Sequence, residues 1–165
     1  DEKELIEKSK SKIPSQAFRF LHDKVQQAAY QLMNEGKRKG IHYQIGLILL
    51  KKYRKDQLEE HIFEVMSQLN YAADLITLAK ERKEYAKMNL MAAEKAMRTV
   101  AYGTALNFLK VGLSFLAEDK WTAEYELTFQ LYLLAAEANY LLFNFDEASR
   151  LFDLILLLCG SMYFR

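Results

Sequence analysis

Residues 136–152 read Ala136-Glu137-Ala138-Asn139-Tyr140-Leu141-Leu142-Phe143-Asn144-Phe145-Asp146-Glu147-Ala148-Ser149-Arg150-Leu151-Phe152. Two alanines, Ala136 and Ala148, stand twelve residues apart; Phe145 precedes the second by three and Phe152 follows it by four. Small side chains at two such points let paired helices approach closely, while the large ones fill the turn and the space beyond it. The same arrangement stands 43 residues upstream, in Ala93 and Ala105 with Tyr102 and Leu109. The spacing predicts two helical hairpins built alike, with Ala93, Tyr102, Ala105, Leu109, Ala136, Phe145, Ala148 and Phe152 as the packing residues.

Working outward, further apolar faces recur at helical spacing. Ile41, Ile45, Ile48 and Leu49 mark one helix, and Leu58, Ile62, Val65 and Leu69 the next, with Asp56 and Glu59 as its capping box. Tyr85, Met88, Ala92 and Ala96 give a third; Ala105, Phe108, Leu109, Gly112 and Leu113 a fourth. A fifth, capped by Asp119 or Thr122, carries Leu127, Leu131, Leu134 and Ala138; a sixth opens at Asp146 and Glu147. Near the N-terminus Phe18 and Phe20 alternate with Arg19, which predicts one short strand over 17–21. It leads into a helix with Val25, Ala28, Ala29 and Leu32 on one face. Gly36 and Gly40 are read as bracketing a basic break, Lys37-Arg38-Lys39.

Composition agrees with an all-α chain. Of 165 residues, 51% are hydrophobic and 27% charged, with six Gly, one Pro and one Cys. Such a chain buries a core, so it is neither a disordered tail nor a loop-rich sandwich. One Cys excludes a disulfide framework and a zinc finger, and the expected compartment is the reducing cytoplasm. Apolar runs such as Leu154 to Cys159 are about a third of the roughly 20 residues a membrane span needs. The net charge of +1 joins a basic segment, residues 1–56, to an acidic one, residues 57–165. Three segments follow: a charged, flexible leader over 1–16, a segment with a linking helix over 17–55, and helical repeats over 56–165.

No residue set carries catalysis. His22, His42 and His61 lie about 20 residues apart, so no two share a helix face as metal ligands would. Cys159 sits in an apolar run and reads as a small core residue. The chain offers no phosphate-cradling glycine loop and no nucleophile elbow. It is expected to be non-enzymatic, with no metal and no cofactor of its own. Tyr132 and Tyr140 are candidates for lining a binding groove, since aromatic residues are favoured at binding surfaces.

The hairpin pattern resembles the tetratricopeptide repeat, most clearly in Asn144-Phe145-Asp146-Glu147-Ala148, although 43 residues separate the copies instead of the usual 34. That resemblance implies antiparallel hairpins stacked as a right-handed superhelix, which presents a surface to protein or peptide partners. A second resemblance is carried by Phe18-Arg19-Phe20-Leu21-His22-Asp23-Lys24-Val25-Gln26-Gln27-Ala28-Ala29-Tyr30. This run looks like the winged-helix signature of the STAND class of signalling ATPases, especially the ATPase module of multi-sensor hybrid Ser/Thr and histidine kinases. The similarity continues through His42-Tyr43-Gln44-Ile45-Gly46, Gln68-Leu69-Asn70, Tyr125-Glu126-Leu127 and Ala136-Glu137-Ala138.

The second resemblance implies a fragment of a longer protein that binds ATP or ADP, with a winged-helix remnant before the repeats. There His22 would sense the β-phosphate of ADP by a charge-assisted hydrogen bond, and Asp23 would orient the helix start. Partners would be the neighbouring ATPase and kinase domains of the same chain. Apolar surface left at the end of the array would favour self-association. DNA is disfavoured: the helix after the strand carries Val25, Ala28, Ala29 and Leu32, and a second helix needed for reading DNA is missing. The expected role is a regulatory, protein-interaction segment. The alternatives are a free-standing tetratricopeptide adaptor and the sensor arm of a LuxR-like STAND transcription activator.

Overall fold

The computed structural model describes residues 6–8, 18–20 and 23–163, and its backbone divides into two units, Asp1–Ile41 and His42–Arg165. In the first unit, β1 (Ile6–Lys8) pairs antiparallel with β2 (Phe18–Phe20), setting Ile6 opposite Phe20 and Lys8 opposite Phe18. β2 falls inside the predicted strand. β1 lies in the charged leader, where no alternation announced it. Helix α1 (Asp23–Leu32) follows. Among the described residues this two-stranded ladder and its helix form no winged-helix architecture.

Helix α2 (Glu35–Lys52) corrects the reading of Gly36 and Gly40 as a break. The Asn34 side-chain oxygen accepts the Lys37 backbone N–H at 2.8 Å, a cap that offsets two poor helix formers. Glu35 then complements the dipole and pairs with Lys39 one turn on.

Among its described residues the second unit holds helices joined by short loops and no strand. After α2 come α3 (Lys55–Tyr71), a single 3-10 turn (Ala73–Leu75), α4 (Ala79–Arg98) and α5 (Tyr102–Phe115). A four-residue helix, α6 (Lys120–Ala123), precedes α7 (Tyr125–Leu141) and α8 (Phe145–Tyr163). The start of α3 differs from the predicted capping box by two residues. Its N-cap is Arg54, and the Gln57 side chain accepts the Arg54 backbone N–H. Asp119 and Thr122 belong to α6, not to the start of α7; the Thr122 hydroxyl donates to the Asp119 carbonyl. Buried Thr128 donates to the Lys120 carbonyl and so ties α7 back to α6.

Packing follows the small residues. Ala86, Ala92, Ala93 and Ala96 on α4 and Ala105 on α5 are all buried, and α4 packs most closely on α5. α7 lies against both members of that pair, and α8 lies on α7. The second hairpin, α7–α8, thus packs on the first, α4–α5, through α7. Polar ties fix the registers. Asn70 on α3 and Asn89 on α4 exchange two amide hydrogen bonds, and Asn89 also donates to the Tyr85 carbonyl. Arg82 donates to the Ile76, Ser114 and Phe115 carbonyls while its guanidinium lies over the Phe115 ring.

The two hairpin turns are copies. In the first, the Ala101 N–H reaches the Ala96 carbonyl and the Val100 N–H the Met97 carbonyl; in the second, Asn144 reaches Asn139 and Phe143 reaches Tyr140. These pairs close a helix around one residue in the left-handed region. Val100 (φ 61°) and Phe143 (φ 62°) fill that position, each 43 residues from its counterpart. A β-branched or bulky residue there is strained by about 1 kcal/mol. Val100→Gly and Phe143→Gly are therefore each expected to stabilise the chain by about 0.5–1 kcal/mol, read as a higher urea midpoint.

One buried phenol makes stability depend on alkaline pH. Burial pushes the Tyr85 hydroxyl up to about 12, with the Glu81 carboxylate and Tyr43 adding to the effect. Its folded pKa lies above the unfolded value near 10, so the fold favours the neutral phenol. That stabilisation is complete below about pH 10 and is lost as pH rises toward 12. Tyr85→Phe should flatten the fall of the urea midpoint across this window; an unchanged slope would assign the fall to other groups.

Candidate protein interface

The exposed surface of the second hairpin is unusually apolar. At its turn Tyr140, Phe143 and Phe145 are 58%, 79% and 52% exposed. Their rings meet edge to face: Tyr140 and Phe145 have centroids 5.5 Å apart, Phe143 and Phe145 5.9 Å. Asn139, Asn144, Asp146 and Glu147 line a shallow cleft beside Phe143 and Phe145. The left-handed turn is what holds Phe143 outward, so a strained position and a solvent-facing ring coincide. Further along α8, Phe152, Leu156 and Leu157 also face solvent. Exposed large apolar side chains grouped as at this turn mark interaction surfaces.

The predicted packing residues separate into two groups. Ala93, Ala105, Leu109, Ala136 and Ala148 are buried between helices, and Tyr102 is half-buried. Phe145 and Phe152 stand on the exposed side instead. Of the two groove candidates, Tyr132 is half-buried and stacks on Trp121 at 5.1 Å, whereas Tyr140 is open to solvent. Phe143 was not singled out in the sequence, although four large apolar residues, Tyr140 to Phe143, at a hairpin turn were the available signal.

His22 and the Asp23 side chain lie outside the described residues, and the Asp23 backbone opens α1. The other histidines make local contacts. His42 Nδ1 lies 2.6 Å from the Gln68 carboxamide oxygen, and the His61 ring stacks on Tyr53 at 3.9 Å. Among the described residues no three His, Cys, Asp or Glu side chains come together as a metal site would need. Glu147 has its carboxyl held below the usual range by hydrogen bonds from Arg150, a pairing on the open surface of α8. Among the described residues no helix is long and apolar enough to cross a membrane.

Comparison with known proteins supplies a context. The chain is 29% identical over 160 residues to hybrid signal transduction histidine kinase G of Dictyostelium discoideum. The match covers 82% of this chain but 5% of that protein, so the chain spans about one-twentieth of its relative. No protein-family description matches the chain, and no solved structure matches it. The helical chain is therefore similar to one small part of a signalling protein.

Proposed function

We propose that this chain is a non-catalytic regulatory and protein-interaction segment of a multidomain signal-transduction ATPase-kinase. It relays a sensed signal to the ATPase and kinase domains. The observation that carries this reading is the match to a segment of a hybrid histidine kinase, a protein far longer than this chain. The stacked hairpins and their exposed apolar face support a binding role over a chemical one. In this reading the hairpins are tetratricopeptide-like. His22 and Asp23 act only in the intact protein, on bound ADP.

The test is the complete reading frame, followed by nucleotide release from its product. A glycine-rich phosphate loop upstream of Phe18 with a kinase domain in the same frame supports the proposal. A DNA-binding helix-turn-helix downstream would replace it with a transcription activator. A frame holding neither would leave a free-standing adaptor. In the ATPase-bearing protein, His22→Ala should speed ADP release; unchanged release would remove the sensor role alone.

A further inference from the structure

The 43-residue repeat shows how the outer face of the second hairpin should be used. Leu90, Leu109 and Leu113 of the first hairpin are buried or half-buried, and α7 packs on both helices of that hairpin. Their counterparts 43 residues on are Leu133, Phe152 and Leu156. All three are exposed, Leu156 by 70%. A face built to receive a helix stands open. The charges around it are acidic: Glu137, Asp146 and Asp153 are exposed, and Glu147 is already paired with Arg150. Two such rims would repel each other, so this face does not suit its own image.

The same unit carries a helix that does suit it. On α2, Ile45 and Ile48 are exposed at helical spacing, Ile48 by 62%. The 42–52 part of α2 ends on exposed Lys51 and Lys52 and holds not one Asp or Glu. This stripe is apolar and basic where the α7–α8 face is apolar and acidic. We infer that two copies of this chain associate head to tail, the α2 stripe of one copy docking on the α7–α8 face of the next. Two different faces in contact make a heterologous interface, which propagates into open chains unless its rotation closes a ring. The contact extends the stack: α2 of the second copy takes the place that α7 takes on the first hairpin. The inference needs only the surface of the second unit and is independent of the signalling context.

Sedimentation velocity of the full chain across micromolar concentrations tests this. The expected result is assembly that grows with concentration and weakens at high salt, because charge complementarity is screened. Ile48→Asp and Leu156→Asp, both at exposed sites, should each weaken assembly by about tenfold or more, with the helical circular dichroism retained. If Leu156→Asp unfolds the chain, Leu156→Gln takes its place. The deciding measurement mixes the two variants. Ile48→Asp keeps an intact α8 face and Leu156→Asp an intact α2 stripe, so the mixture should form heterodimers that stop at two. A wild-type chain monomeric throughout would overturn the inference. So would assembly that survives Ile48→Asp but not Leu156→Asp, the signature of α8 pairing with itself, or a mixture that stays monomeric.

Discussion

Gly112→Val is expected to cost about 3 kcal/mol and to lower the melting temperature by roughly 10 °C. Gly112 lies where α4, α5 and α7 come together. A single Cβ there would stand 3.1 Å from the Asn89 Cβ and 3.1 Å from a Leu131 methyl, with the Ala86 carbonyl oxygen at 3.5 Å. The Asn89 Cβ cannot move aside cheaply, because its side chain is buried and bonded to Asn70 and to the Tyr85 carbonyl. Valine adds two further methyls that must enter the same space, so α5 must shift away from its neighbours. Gly103→Ala is the control: a Cβ there meets nothing within 4 Å, and the change should be neutral or stabilising by up to about 1 kcal/mol. Equal losses from the two substitutions would mean that the close approach at Gly112 is not what matters.

Leu131→Ala should cost about 3 kcal/mol, within the range for emptying a fully enclosed leucine site. Leu131 is wholly buried and presses on Gly112 from α7, so its removal leaves a void between the two hairpins. The two substitutions share that void and should couple. The valine methyls of Gly112→Val occupy room vacated by the leucine, and the double variant should lose at least about 1 kcal/mol less than the sum. Strict additivity in urea denaturation would show that the valine is opposed chiefly from α4.

Much of the second unit was legible in the residues. Ala93, Ala105, Ala136 and Ala148 gave away the hairpins because close helix approach has few chemical solutions. Gly36 and Gly40 misled because their weak propensity was weighed without the Asn34 cap and the Glu35–Lys39 pair that offset it. The split between α6 and α7 was hidden in the same way, since Trp121 to Tyr132 carry helical spacing across a bend at Glu124. The outward direction of Phe145 and Phe152 could not be read from periodicity. Helical spacing identifies an apolar face, and what covers that face depends on neighbours that spacing does not describe. The signalling context was legible as the resemblance carried by the run Phe18 to Tyr30, and the relative it agrees with is a hybrid signal transduction histidine kinase.

The order in which the helices hold one another also decides how the molecule yields to tension. α4 is gripped from several sides, by the Asn70–Asn89 amides, the Arg82 clamp and the underside of α7. α8 is held chiefly by α7. A pull on the C-terminus should therefore peel α8 away first, at low load, while the α3–α5 block keeps its shape. A segment of this kind behaves as a graded spring with one soft end, and whatever docks on α8 sets the stiffness of that end.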